Sequence, residues 1–144
     1  MLGLDPVEPM TEEECLALLA TERVGRVSVS MSAMPVILPV RFSLVGRDIL
    51  VAPGADPRVC DALTDTVVAF EAGHFDPADD RGWSVMVVGW SSRVDLAGHD
   101  IRAGSPPVAS PAPAPGTDER VRMLRPSVMA GGRFAGAPAR PTPR

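Results

Sequence analysis

The sequence predicts a small, mainly antiparallel β-barrel with two short helices. Two features of the 144-residue chain lead to this fold class. Apolar and polar residues alternate in five or six separate segments, and a period of two is typical of strands with one face in a core. Only two segments carry helix-capping signals, and both are short. Turn residues separate the early strands closely, so those strands are expected to follow one another as a meander.

The first element is a helix that begins after Thr11. Thr11 and Glu14 have the spacing of a capping box, in which the Thr11 hydroxyl accepts the N–H of Glu14 and the Glu14 carboxylate reaches back. Acidic residues in the first turn also suit the helix dipole. The apolar side then covers about two turns and comprises Cys15, Leu16, Leu18 and Leu19. A helix this short must pack against another element.

Three strands follow the helix. The first is predicted at Val24–Met31, the second around Val36–Leu44 and the third at Asp48–Val51. Pro39 lies in the middle of the second strand. Because proline has no N–H to donate to a ladder, Pro39 indicates a sheet edge or a bulge.

A second helix is predicted from Pro57 to Leu63, with Asp56 as its N-cap. Strands at Thr66–Glu71 and Trp83–Val94 follow, with an acidic loop at 73–82 between them. The longer of these strands is apolar on both faces, which indicates a central strand or one covered by a partner chain.

A last strand begins at Arg120, with Val121 and Met123 predicted to point inward and Arg120 and Arg122 outward. The predicted organisation has four parts: an N-terminal arm at 1–10, a barrel domain at 11–134, a Pro-rich insertion at 103–117 and a disordered tail at 135–144.

Composition excludes several classes of function. The net charge of −4 argues against nucleic acid as a partner. The sequence has no recognisable signal peptide and no apolar run long enough for a membrane span, so a cytoplasmic protein is expected.

The absence of Lys, Asn, Gln and Tyr indicates a GC-rich, bacterial genome. Cys15 and Cys60 are interpreted as buried apolar residues, and the acidic loop around His74 lacks the spacing of a metal site.

Several short stretches, taken in order, resemble the pyridoxamine 5'-phosphate oxidase-like family of FMN-binding split β-barrels. They are ECLALL at 14–19, VGRV at 24–27, PVILPV at 35–40, FE at 70–71, FDP at 75–77, GWSV at 82–85 and VRM at 121–123 followed by Pro126. The resemblance covers residues 11–134. It implies a homodimer that holds FMN, or in some actinobacterial branches a deazaflavin coenzyme, in clefts between protomers. It also implies redox chemistry on a small molecule.

The resemblance further implies which residues line the cofactor. Arg58 stands where the family has a phosphate-binding Lys, and Arg122 lies on a strand whose Arg approaches the flavin. Ser84 and Val85 would lie against the flavin ring through their backbone. The remaining implied cofactor-binding positions are Pro39, Val40, Val51 and Ala52.

This chain departs from the family's phosphate-binding motif. Ala52 and Pro53 replace an Arg-Thr pair, and Pro57 replaces a Thr, so three of four expected side-chain donors are absent. The alternative interpretation is therefore a degenerate, non-catalytic dimer that has lost FMN and binds another ligand. Simpler interpretations of single residues also remain: Arg58 as a solvated arginine, Arg122 as an exposed one, and Ser84 and Val85 as ordinary strand residues. Whether the protein is an enzyme stays open at this point.

Overall fold

The structure of the protein, a computed structural model, describes residues 7–94 and 120–136. The Pro-rich insertion, the first six residues of the predicted arm and most of the predicted tail lie outside this range. The elements in chain order are β1 Val7–Met10, α1 Glu12–Leu19, β2 Val24–Met31, β3 Met34–Val45, β4 Asp48–Ala52, α2 Pro57–Ala62, β5 Thr66–Asp76, β6 Arg81–Arg93 and β7 Arg122–Phe134.

The described strands form one antiparallel sheet that closes into a barrel. The strand order is β1-β7-β4-β3-β2-β5-β6, and β6 also pairs with β7. Two of the seams are short: β2 meets β5 only at Arg26–Ser28, and β4 meets β7 only at Ile49–Val51. Beyond these seams the strands diverge, as expected for a split barrel. The predicted fold class is confirmed.

The first helix forms as the capping box predicts. The Thr11 hydroxyl accepts from the N–H of Glu14 at 3.2 Å, and the Glu14 carboxylate accepts from the N–H of Thr11 at 3.2 Å. The helix buries Cys15 and Leu19 in the core. Burial and the neighbouring Glu14 carboxylate raise the pKa of the Cys15 thiol, so this thiol is protonated at neutral pH. Cys15 and Cys60 are both free and buried, as predicted.

The predicted loop at 73–82 is wrong. β5 continues to Asp76 and β6 begins at Arg81, so the connection is a tight turn. The acidic residues that indicated a loop are accommodated within the hairpin, since Asp76 accepts from the N–H of Ala78 and Asp79 from the N–H of Arg81. Pairing of His74 with Trp83 and of Phe75 with Gly82 extends the ladder to the turn.

The predicted outward orientation of Arg122 is also wrong. Its side chain is only 1% exposed, whereas Arg120 is exposed and Val121 and Met123 are buried as predicted. Burial is tolerated because the guanidinium donates to Thr64 Oγ1 at 3.0 Å and to the carbonyl of Val121 at 3.1 Å. The strand itself extends from Arg122 to Phe134, where it pairs with β6 and β1.

Candidate functional site

Half of β3 has a backbone edge that no described strand covers. β4 pairs only with Arg41–Val45, so among the described strands residues 34–40 pair with β2 alone. The N–H of Phe42 donates to the carbonyl of Arg23, on the β2 side, at 2.9 Å. Because successive residues of a strand direct their backbone groups to alternate sides, residues 35, 37 and 39 direct theirs to the free edge. Of the two alternatives predicted for Pro39, an edge or a bulge, the described strands agree with the edge.

This free edge has an uneven set of hydrogen-bonding groups. Pro35 and Pro39 have carbonyl oxygens but no N–H, whereas Ile37 has both. The described part of this edge therefore presents three carbonyl acceptors and a single donor, the N–H of Ile37. The Ile37 side chain is 70% exposed, so the edge is open to a ligand on this face.

The end of β4 and the start of α2 lie further along the same sheet. Ala52 ends β4 and is exposed, and Pro53–Asp56 connects it to α2. Asp56 caps α2 by accepting the N–H of Arg58 at 2.9 Å, and the Arg58 guanidinium pairs with the same carboxylate at 3.1 Å. The hydrogen bond from the Arg58 side chain, followed by the one from its N–H, lowers the pKa of Asp56, so this carboxylate is ionised at neutral pH.

A polar network lies on the outer face of the barrel across β2, β5 and β6. Arg26 Nε donates to Glu71 Oε2 at 2.8 Å, and Ser84 Oγ donates to Glu71 Oε1 at 3.0 Å. The Glu71 carboxylate is thus held from both sides. The sequence did not predict the pairing of Arg26 with Glu71, because β2 and β5 meet through a seam that residue spacing does not reveal.

The predicted cofactor-binding residues separate into two groups. Exposed or half-buried side chains belong to Pro39, Ala52, Arg58 and Ser84, whereas those of Val40, Val51, Val85 and Arg122 are buried inside the protomer. Each residue of the buried group is at most 4% exposed, so the protomer offers a cofactor almost no contact with them. For Ser84 and Val85 the backbone lies between two ladders, because β6 pairs there with both β5 and β7. Their contact with a flavin stays a prediction.

Comparison with known proteins identifies the family. Residues 11–130 match the family model described as pyridoxamine 5'-phosphate oxidase. The chain belongs to the pyridoxamine 5'-phosphate oxidase family. The uncharacterized protein Rv0080 of Mycobacterium tuberculosis is 36% identical over 93 residues, which is 61% of this chain and 61% of that protein. The match thus spans less than two thirds of that relative.

Solved structures agree with this family assignment. An FAD-binding protein from Mycobacterium smegmatis is 25% identical, with a TM-score of 0.67 over 89% of this chain and 98% of that one. An FAD-binding protein from Mesorhizobium loti, 15% identical, has a TM-score of 0.68 over 90% of this chain and 99% of that one. The second likeness shows the fold alone.

The residues at the expected phosphate position do not fit the dianionic phosphate of FMN. Such a group needs charge-assisted donors. The side chains of Ala52 and Pro53 have no donor, and Pro57 lacks even the backbone N–H. The N–H and the guanidinium of Arg58 already donate to the carboxylate of Asp56. The family's fold is therefore retained, whereas these residues lack the donors that a dianionic phosphate needs.

The described residues do not meet the requirements of two other kinds of site, a metal centre and a membrane span. They contain no group of three or more His, Cys, Asp or Glu placed to hold a metal ion. Within the same ranges, neither helix is long and apolar enough to cross a membrane.

Proposed function

We propose that this protein binds a flavin beside the free edge of β3 and acts as a flavin-dependent oxidoreductase on a small molecule. The observation that carries the proposal is this edge, which presents one N–H donor between carbonyl acceptors. The edge belongs to a fold whose family is associated with flavins. The FAD-binding relative from Mycobacterium smegmatis, similar over most of both chains, supports a flavin ligand.

The chemistry of the edge suits the polar side of a flavin ring. That side carries carbonyl oxygens and a ring N–H, so it can accept from the N–H of Ile37 and donate to a carbonyl of Pro35, Ile37 or Pro39. A bound flavin would supply the redox chemistry, and the protein would supply position and electrostatics.

The proposal includes a homodimer, since several apolar side chains lie exposed on the outer face of β5, β6 and β7. Residues directly opposite one another in an antiparallel sheet lie on the same face. Val67 lies opposite Trp90, and Val88 lies opposite Val128. Val67, Trp90 and Val128 are each about half exposed in the protomer, which favours a second copy as the covering surface.

The first experiment is to purify the protein, record its visible absorption and identify by mass any small molecule released on denaturation. The apoprotein would then be titrated with flavins by fluorescence quenching. Bound flavin, or tight uptake of added flavin, supports the proposal. A colourless protein that takes up neither riboflavin, FMN nor FAD would contradict it and would favour the degenerate binder of another ligand, a deazaflavin included.

The contribution of the β3 edge can be tested by Ile37→Pro. Proline at 37 removes the N–H that faces the free edge, and prolines at 35 and 39 show that the strand accommodates this residue there. We expect flavin affinity to fall about tenfold, the value of one hydrogen bond of ~1.4 kcal/mol. Ile37→Val, which keeps the N–H, is the matched control. Equal affinities of the two variants would exclude this edge as the ring-binding element.

A further inference from the structure

Arg41 lies where the free edge of β3 meets the end of β4. The ladder between the two strands ends at the pair of Arg41 and Ala52, and the free edge begins directly beyond this pair, on the same side of β3. Arg41 follows Pro39 by two residues, so their side chains share one face of the strand. A flavin that lies along residues 35–39 would therefore have Arg41 and Ala52 at one end.

Arg41 carries a positive charge that no described carboxylate compensates. It is the one charged residue of β3, its side chain is exposed, and none of the ion pairs among the described residues includes it. Arg26 lies opposite Pro39 on the same face, but its Nε donates to Glu71 at 2.8 Å. An anionic group beside the edge would therefore be attracted chiefly by Arg41.

The small side chain of Ala52 leaves room for the guanidinium of Arg41. Residues directly opposite one another in an antiparallel sheet lie on the same face, with Cβ atoms about 4.5–5.5 Å apart. The long side chain of Arg41 can cover this separation, so it can place its guanidinium where a larger side chain at position 52 would lie. A guanidinium is planar and has several N–H donors, which match the oxygens of a phosphate group.

We propose that Arg41 binds the phosphate on the ribityl chain of the flavin, in place of the donors that are absent at Ala52, Pro53 and Pro57. This inference rests on the proposed function, because it concerns the phosphate end of the same flavin. The resemblance to the family implies an arginine at position 52 of β4. In this chain the cation lies directly opposite that position, on β3.

The test measures flavin affinity of the full 144-residue chain by fluorescence quenching, with riboflavin, which has no phosphate, and with FMN and FAD, which have one on the ribityl chain. In the unaltered protein, at least one phosphorylated flavin should bind about tenfold more tightly than riboflavin, as expected for a charge-assisted hydrogen bond. Arg41→Gln should abolish this preference and leave riboflavin affinity unchanged. Arg41→Lys, which keeps the charge, should retain part of it.

Arg81→Gln is the matched control. Arg81 is exposed and lies opposite Asp76 at the β5–β6 turn, so its replacement changes the net charge equally at a position outside the edge of β3. This variant should keep the whole preference for the phosphorylated flavin.

An exchange across the ladder tests the position of the cation. Arg41→Ala should abolish the preference for the phosphorylated flavin. The double variant Arg41→Ala/Ala52→Arg should restore it, because an arginine at position 52 lies on the same face, directly opposite position 41. A double variant that binds riboflavin but shows no preference would overturn the inference.

The other outcomes separate the two proposals. Equal affinities for riboflavin, FMN and FAD in the unaltered protein overturn the inference and leave the proposed function standing. A preference that survives Arg41→Gln also overturns the inference, and so does an Arg41→Gln variant that loses riboflavin affinity as strongly as FMN affinity. If none of the three flavins binds to the unaltered protein, the proposed function fails, and the inference fails with it.

Discussion

At the level of single residues, the buried guanidinium of Arg122 connects β7 to the end of α2. Its Nε donates to Thr64 Oγ1 at 3.0 Å, and Thr64 Oγ1 in turn donates to the carbonyl of Cys60 at 2.7 Å. Ser91 Oγ donates to the carbonyl of Leu63 at 2.6 Å. These contacts give the Leu63 carbonyl, at the C-cap of the helix, a donor, and they add a second donor to the Cys60 carbonyl, which also accepts from the N–H of Leu63 at 3.2 Å. Arg122 therefore supports the segment that carries Arg58.

Replacement of Arg122 should destabilise the protein. Arg122→Ala leaves a cavity and removes a donor from Thr64 and Val121, so we expect the free energy of unfolding to fall by about 3 kcal/mol in urea titrations. Arg122→Met refills most of the volume and should cost about half as much. Arg120→Ala, at an exposed position, should change stability by less than ~0.5 kcal/mol. A stable Arg122→Met variant that has lost flavin binding would show that Arg122 also positions the segment that carries Arg58.

Local sequence signals predicted residues whose partners lie nearby in the chain. The Thr11–Glu14 box and the Asp56 cap were correct because each needs only residues within one helical turn. Arg122 was not predictable in the same way. Its partner Thr64 is 58 residues away, and an arginine alternating with apolar residues has the usual pattern of an exposed strand position.

At the level of elements, α1 packs against β7 at a glycine. A Cβ built on Gly131 would lie 2.6 Å from Cys15 Sγ and 2.6 Å from Met10 Cε, closer than real contacts allow. The absence of a side chain at Gly131 therefore lets the buried side of α1 and the end of β1 approach the barrel. In packing this close, even a small increase in side-chain volume lowers the free energy of unfolding.

Gly131→Ala should lower the free energy of unfolding by about 1–3 kcal/mol, because the added methyl forces α1 away from β7. Cys15→Ala removes the nearest rigid obstacle, so the double variant should lose at least ~0.5 kcal/mol less than the sum of the two single variants. Chemical denaturation of all four proteins completes this cycle. Strict additivity would show that the two residues do not limit the approach of the helix.

The strands show where element prediction reaches its limit. β2 was predicted with its observed bounds because alternation continues over its whole length. β5 and β6 were predicted too short because His74, Asp76 and Gly82 suit a loop by composition, yet pairing across the hairpin holds them in strands. The free edge of β3 was anticipated only through Pro39. That Arg41 lies opposite Ala52 could not be predicted, because it depends on the register between β3 and β4.

At the level of the whole molecule, the barrel divides into two halves that meet at two short seams. One half contains β5, β6 and most of β7, and its outer face carries the apolar surface of Val67, Trp90 and Val128. The other half contains β3, β4 and α2, which form the candidate site. The sequence predicted this apolar surface, because the segment that forms β6 has apolar residues on both faces. It did not indicate that β6 would be both central in the sheet and exposed on one side.

The apolar outer face leads to a prediction about assembly. If a second copy covers it, Val128→Glu places a charge in the middle of an apolar contact, and its desolvation opposes association. We expect the unaltered protein to be a dimer by light scattering coupled to gel filtration, and Val128→Glu to have half that mass. Ala17→Glu adds the same charge on the exposed side of α1, so it should remain dimeric.

Flavin titration of the Val128→Glu monomer extends the test to the site. A cleft completed by the partner would lose affinity with the dimer, whereas a monomer of unchanged affinity would show that the edge of β3 and the start of α2 bind the flavin within one protomer.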